Sequence, residues 1–411
     1  MNLDDRLESM IGDDEIGVPG LGVIVYKDGR EIYSKFLGRC RIDPDKIVTR
    51  DTRFRVASIS KMFTIFSIMK LVESGKISLD ENVEEYLNSR LRNPNDPNRK
   101  FTIRMLASHI SSLRDGKIYS IPPEFSVREF FEPNGKFFED GIHFASNFDF
   151  EYCNLNYGIL GTIIESVTHE RFDLYQKKFL KQLDIAAEYL PGNLSPDEFE
   201  NLGTIYRKDQ FGNWIGKIDD YHGIQPARDS VQLQNPYAED FQGIYSLKNY
   251  QIGTNATIFS PQGGLRISFD ELSHALEMLI NEGIYRGRRI LTAESVNQMF
   301  KSNWIYDPQI QNGNPYGVIQ NYGLGTYFVD GKSDARVCRN HEIDLIGHTG
   351  SAFGLLSGMF LIPNTRDGFI YMMNGEAIEE DVDPRSLGEF SLNYIWEEKI
   401  MDSICEFLIQ K

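Results

Sequence analysis

Segments with strand character stand at both ends of this 411-residue chain, and helical periodicity fills the stretch between them. Near the amino terminus, GLGVIVY and REIYSKFLG flank Lys27-Asp28-Gly29, a hairpin signal. Near the other end, LSGMFLIP and GFIYMMNG flank Asn364-Thr365-Arg366-Asp367 and read as paired strands. This arrangement predicts an α/β lobe built from both termini, with a mostly helical lobe inserted in it. The expected division is a discontinuous α/β lobe of residues 1–55 and 260–411, and a helical lobe of 56–259.

Leu3, Leu7, Met10 and Ile11 predict a short opening helix. The strongest helical pattern covers 58–74, where Ile59, Met62, Phe66, Met69 and Val72 form one stripe and Gly75 supplies a stop. Further helices are expected around 80–90, 103–112, 126–132, 154–170, 172–183, 269–283, 293–301 and 387–409. Residues 190–259 are polar and weakly periodic, and are expected to hold little regular structure.

A hydrophobic content of 41% with 25% charged residues is that of a soluble globular protein. The net charge of −17 argues against nucleic acid and anionic membrane surfaces as partners, and a small-molecule or short-peptide substrate is expected. No apolar run is long enough to span a bilayer. The opening MNLDDRLESMIGDDE lacks the layout of a secretory signal. The expectation is a cytoplasmic protein, or a periplasmic or secreted one if a signal was trimmed. Cys40, Cys153, Cys338 and Cys405 have no C-x-x-C spacing, and the seven histidines form no H-x-x-x-H. No metal, disulfide framework or cofactor is expected. Oligomeric state is not legible.

Within RVASISKMFTIFSIMK a single charge, Lys61, interrupts the run from Ala57 to Ser67. Two Ser-x-x-Lys pairs occur there, Ser58/Lys61 and Ser67/Lys70. Residues three apart share a helix face, so Ser58 and Lys61 can meet. A desolvated lysine of lowered pKa can serve as base to a serine nucleophile. Ser58 also stands where the helix begins, among free backbone N–H groups that suit an oxyanion. Ser67 lies mid-helix, so Ser58/Lys61 is the better pair. The plainer alternative makes Ser58 a cap and Lys61 a solvent-reaching side chain.

In FEYCNLNYGILGTIIE, Tyr152 and Asn154 precede an apolar helix. A tyrosine with its pKa lowered by a neighbouring ammonium could relay a proton, and the asparagine amide could hold a substrate carbonyl. In LIGHTGSAFG, glycines flank His348-Thr349 in a stretch that would let a ligand approach its backbone. There the N–H of Ser351 could be a second oxyanion donor beside that of Ser58. The plainer readings are packing and capping for Tyr152 and Asn154, and a glycine-rich turn around His348.

In this order the three stretches resemble the serine β-lactamase and penicillin-binding protein superfamily, most of all its class C branch of peptidases, D-aminopeptidases and esterases. FRVASISKMFT is similar to that branch's nucleophile helix, and TIRMLASHISSL, SPQGGLRISFDEL and YGLGTYF are similar to its flanking segments. The resemblance implies an α+β fold in which terminal helices pack an antiparallel sheet, with a cleft between sheet and helical lobe. It implies Ser58 as acylated nucleophile, Lys61 and Tyr152 sharing general base and acid duty, and Asn154 on the substrate amide. His348, Thr349, Gly350 and Ser351 would line the substrate and oxyanion side. His348 takes the place of lysine in β-lactamases proper and would be mostly neutral near pH 7. That favours small esters, amides or short D-amino-acid peptides over penicillins; the alternatives are a true β-lactamase or a catalytically idle scaffold. Ser112 and Ile110 replace a usual glycine and threonine, and Cys153 is expected to pack rather than react.

Overall fold

Strand alternation places the core. In β1 (Gly20–Lys27), Val23 and Val25 face one side of a sheet and Ile24 the other, each fully buried. The sheet has nine strands, which besides β1 are β2 (Arg30–Arg41), β3 (Lys46–Ile47), β4 (Trp304–Ile305), β5 (Asn321–Tyr322), β6 (Tyr327–Val329), β7 (Leu345–Ala352), β8 (Leu355–Leu361) and β9 (Gly368–Met373). Their order is β4-β5-β6-β7-β8-β9-β1-β2-β3, with antiparallel neighbours throughout. Ile24 pairs with Ile370 of β9, so the two ends of the chain meet at the centre of the sheet. The computed structural model describes residues 2–12, 16–87, 90–93, 96–139, 149–233, 241–313, 317–378 and 384–411.

The expected β1–β2 hairpin closes through Asp28 and Gly29, both at positive φ, as its tight turn requires. On one face, α1 (Leu3–Glu8) and the carboxy-terminal helix Ile395–Gln410 pack Leu7, Trp396 and Ile400 against Val23, Val25 and Tyr371. The other face meets Ser60–Glu73 (α2), Leu155–Thr168 (α3) and Phe269–Ile280 (α4). Among the described residues no helix is long and apolar enough to cross a membrane.

Several expected helices are shorter than their patterns. That at 103–112 stops at Ala107, because His109 adopts a left-handed φ of 57°. The one at 126–132 is the single 3-10 turn Val127–Phe130, ended by Pro133. The stretch 80–90 contributes only the turn Val83–Glu85, and its residues 88–89 lie outside those described. The last helix begins at Ile395 rather than near 387. Before it the chain folds back, and N–H groups of Glu389, Phe390 and Ser391 donate to the Glu398 carboxylate on the first turn.

The polar stretch 190–259 carries more structure than expected. Ile205–Lys208 pairs with Trp214–Ile218, and Ser230–Leu233 with Gly243–Ser246. These strands have four or five residues, too few to rise above loop composition in the sequence.

Candidate active site

Ser58 lies in a 3-10 turn, Ala57–Ile59, that runs straight into α2. Ala57 enters that turn at a φ of 47°, a left-handed conformation that costs an alanine about 1 kcal/mol. β7 presses against the same turn. A Cβ on Gly350 would collide with the Val56 carbonyl and the Ser357 hydroxyl and stand 3.1 Å from the Ser58 nitrogen. Only glycine lets the strand come this close, and the contact brings the backbone of 350–351 beside the Ser58 N–H.

One turn along α2, Lys61 is fully buried. Its Nζ lies 3.1 Å from Ser58 Oγ, 2.8 Å from Asn154 Oδ1 and 3.2 Å from the Gln262 carbonyl. It also sits 4.6 Å from the centre of the Tyr152 ring. Burial brings its pKa down to about 7, against an opposing pull from Asp115 and Cys153. The amine is therefore half deprotonated near neutral pH, and its neutral form can accept the Ser58 proton.

The rival pair is used differently. Ser67 Oγ donates to Gln176 Oε1 at 3.1 Å, while Lys70 is paired with Glu73 and with the Ile290 carbonyl. These are packing contacts.

The Ser58 hydroxyl acts on the Tyr152 phenol, pulling its pKa down. The sequence-based expectation of a lowered tyrosine pKa is reversed, because burial outweighs the polar contacts and holds the group well above its ordinary value. Tyr152 is a phenol at neutral pH, able to donate a proton but not to act as the resting base. His109 stacks on its ring at 4.4 Å between centroids. His109 Nδ1 accepts from the Cys153 N–H at 3.0 Å, and burial lowers its pKa well below the usual value, so this ring is neutral.

Asp115, which no motif singled out, organises the Tyr152–Asn154 stretch. Its carboxylate accepts from the Asn154 backbone at 2.9 Å, the Asn154 amide at 2.7 Å and the Leu155 backbone at 2.9 Å. It thereby caps the amino terminus of α3, where the helix dipole favours negative charge. With its Nδ2 held there, Asn154 must turn Oδ1 toward Lys61. Cys153 is buried with its thiol 3.5 Å from Asp115 Oδ1, and burial raises its pKa well above the ordinary range.

His348 on β7 is also buried, its Nε2 3.0 Å from the Tyr322 hydroxyl and its Nδ1 against the Thr349 carbonyl. A carbonyl only accepts, so Nδ1 carries the hydrogen and Nε2 accepts from Tyr322. Burial, then the nearby Lys61, pushes its pKa down to about 3. Thr349 Oγ1 accepts from the Tyr327 hydroxyl at 3.2 Å. Ser58, Tyr152, Asn154, His348, Thr349 and Ser351 all line one cavity of about 580 Å³.

The structure thus gathers every sequence-predicted site residue at one cleft, with Gly350 behind it. Sequence reasoning missed Asp115, which stands in no motif spacing, and gave no role to Tyr322 and Tyr327, although both lie in the YGLGTYF segment. The only signal for Asp115 was a lone acid just past TIRMLASHISSL. Tyr221 lines a neighbouring cavity, whereas Trp214 packs on Lys208.

A family model described as Beta-lactamase matches residues 5–391. The chain belongs to the β-lactamase family. Among curated relatives, Protein flp of Staphylococcus aureus (strain MRSA252) is 25% identical over 209 residues, 48% of this chain and 41% of that protein. Serine beta-lactamase-like protein LACTB, mitochondrial, of Bos taurus is 37% identical over 108 residues, 25% of this chain and 18% of that protein. These matches span less than half the length of either relative. Among solved structures, D-amino acid amidase from Ochrobactrum anthropi SV3 aligns with a TM-score of 0.66 at 18% identity, covering 100% of this chain and 99% of that one. A class C β-lactamase from Rhodobacter sphaeroides aligns at 0.64 and 15% identity, covering 99% of each. At these identities the likeness is one of fold.

Proposed function

We propose that this β-lactamase-family chain is a metal-independent serine hydrolase that cleaves a small ester, an amide or a short D-amino-acid peptide through an acyl-enzyme on Ser58. The observation that carries the proposal is Lys61, fully buried and 3.1 Å from Ser58 Oγ at the edge of a 580 Å³ cavity. Neutral Lys61 takes the Ser58 proton as Oγ attacks the substrate carbonyl. The N–H groups of Ser58 and Ser351 receive the developing oxyanion. The Tyr152 phenol, which lines the cavity with Ser58, passes a proton to the leaving oxygen or nitrogen as the bond to the carbonyl carbon breaks. Water then repeats the attack, with the proton flow reversed, and frees Ser58. Asn154, its Oδ1 held by Lys61, orients the amine and borders the substrate.

His348 supports esters and amides over penicillins, since this neutral ring offers no fixed charge to a carboxylate at that point of the cleft. The amidase and β-lactamase neighbours bracket the same range of acyl chemistry.

The test is labelling with a fluorophosphonate and with a fluorescent penicillin, read by intact mass, in wild type, Ser58→Ala and Ser67→Ala. One fluorophosphonate adduct in wild type and Ser67→Ala, absent from Ser58→Ala, is expected. No adduct and no ester turnover would leave an idle scaffold, and rapid penicillin turnover would make the protein a β-lactamase.

A further inference from the structure

Beside the catalytic cavity lies a second, of about 410 Å³, and Ser351 lines both. The two differ in charge. The described lining of the first includes one carboxylate, Glu397, and neither lysine nor arginine. That of the second includes Arg55 and Arg266 and no carboxylate. Arg266 is neutralised, holding Asp219 through bonds of 3.0 and 2.9 Å.

Arg55 has no such partner: among the described residues, no carboxylate lies within ion-pair distance of it. Its Nε donates to the Gly263 carbonyl at 2.8 Å, and one Nη reaches Ser260 Oγ at 3.3 Å. The guanidinium stacks 5.3 Å from the centre of the Phe353 ring. A guanidinium carries five N–H donors in one plane, so most remain for a ligand. Burial and the Arg266 charge bring its pKa down to about 10, which still leaves it a cation at neutral pH. A half-buried cation with no ion-pair partner of its own is costly, and a carboxylate from outside would reduce that cost.

The position is tied to the chemistry. Arg55 ends the strand Arg53–Arg55 three residues before the nucleophile, on a backbone that β7 clamps through Val56 and Gly350. Leu190, Ile218, Leu233 and Ile258 give the cavity apolar walls suited to a short aliphatic chain.

We infer that Arg55 selects substrates whose acyl chain carries a carboxylate, held in this second cavity while the reacting carbonyl stands at Ser58. The inference rests on the serine-hydrolase reading above and adds the substrate class. It also locates anion recognition on the far side of Ser351 from the neutral His348.

The experiment compares the mono-p-nitrophenyl ester of adipic acid with p-nitrophenyl hexanoate, a chain of equal length without the acid, in wild type, Arg55→Met and Arg55→Lys. Wild type is expected to prefer the adipate ester in kcat/KM by about tenfold or more, less so at high salt. Arg55→Met should abolish that preference and Arg55→Lys should keep part of it. Hexanoate turnover with no preference for the acid, or a preference unchanged in Arg55→Met, would overturn the inference and leave the hydrolase standing. Absence of fluorophosphonate labelling and of turnover with both esters in wild type would overturn both. Because Arg55 also braces Gly263, a protection assay on wild type stands beside the variants. Adipate should slow fluorophosphonate labelling of Ser58 where adipamide does not, and equal protection by the two would also count against Arg55.

Discussion

Asp115 holds Asn154 by two hydrogen bonds, one to its backbone at 2.9 Å and one to its side-chain amide at 2.7 Å. The second turns Asn154 Oδ1 to Lys61, so a carboxylate outside every motif fixes the partner of the base. Asp115 is also the largest influence raising the Lys61 pKa against burial. Asp115→Asn removes the charge and presents N–H to N–H. Ester turnover is expected to fall by about 10- to 100-fold, the worth of a charge-assisted bond. Its pH profile should also move to lower pH, because loss of the carboxylate lowers the Lys61 pKa further. A fall in rate with an unmoved profile would reduce Asp115 to a structural cap.

The Lys61 amine must be neutral to accept a proton, and its pKa stands at about 7. Activity should therefore rise with pH through neutrality and level off above it, measured as fluorophosphonate labelling rate between pH 5 and 9. The same shift has a cost in stability. The lowered pKa, about 7 against an ordinary 10.5, means the native state binds fewer protons than the unfolded state between those values. Burying the ammonium costs stability fully below about pH 7, and the cost vanishes above 10.5. Wild type should gain stability relative to Lys61→Met as pH rises through that window, as urea titrations at several pH values would show.

Gly350 is needed for the close approach of β7 to the nucleophile. In Gly350→Ala the new methyl meets the Val56 carbonyl and the Ser357 hydroxyl and lies 3.1 Å from the Ser58 nitrogen. The strand must retreat, taking the Ser351 N–H with it. Loss of one oxyanion donor of this kind costs about 10²–10³ in kcat. Ester kinetics on folded variant should show that loss mainly in kcat, and wild-type kcat would refute the assigned contact.

Ser112 occupies a left-handed φ of 67°, the conformation a glycine adopts at no cost. Ser112→Gly should raise stability by about 1 kcal/mol, a thermal midpoint shift on the order of 1–2 °C. A lower midpoint would mean that the weak Asn93 contact to Ser112 Oγ, at 3.5 Å, outweighs the strain.

His348 should stay neutral with its hydrogen on Nδ1 across the physiological range, since burial and Lys61 hold its pKa at about 3. Nitrogen shifts of the labelled imidazole should be flat between pH 5 and 8. A titration near 6.5 would show a solvated ring and restore a switchable charge to the cleft.

What the sequence by itself determined was everything carried by neighbours in the chain. The apolar runs GLGVIVY and GFIYMMNG specified two buried strands, and the Asp-Gly turn specified a hairpin. Spacing of three put Ser58 and Lys61 together, and Ser-x-x-Lys, Tyr152-x-Asn154 and His348-Thr349-Gly350 marked the cleft by resemblance. Where short-range signals failed, longer-range contacts had decided. Helices at 103–112 and 387–409 were cut short by a left-handed residue and by the demands of Glu398, neither visible in periodicity.

Only the tertiary structure decided the chemistry of those residues. Lys61 and Tyr152 have shifted pKa values because packing removes water from them, and burial is not a property of spacing. The direction for Tyr152 was misread for that reason, as a neighbouring ammonium was weighed without the larger effect of desolvation. Asp115 reached Asn154 across 39 residues and Tyr322 reached His348 across 26. Arg55 became a cation at a cavity wall, with no ion-pair partner among the described residues, only once Leu190, Ile218, Leu233, Ile258 and residues 351–353 closed around it. Local patterns name the reacting groups, and the fold sets their protonation and what they face.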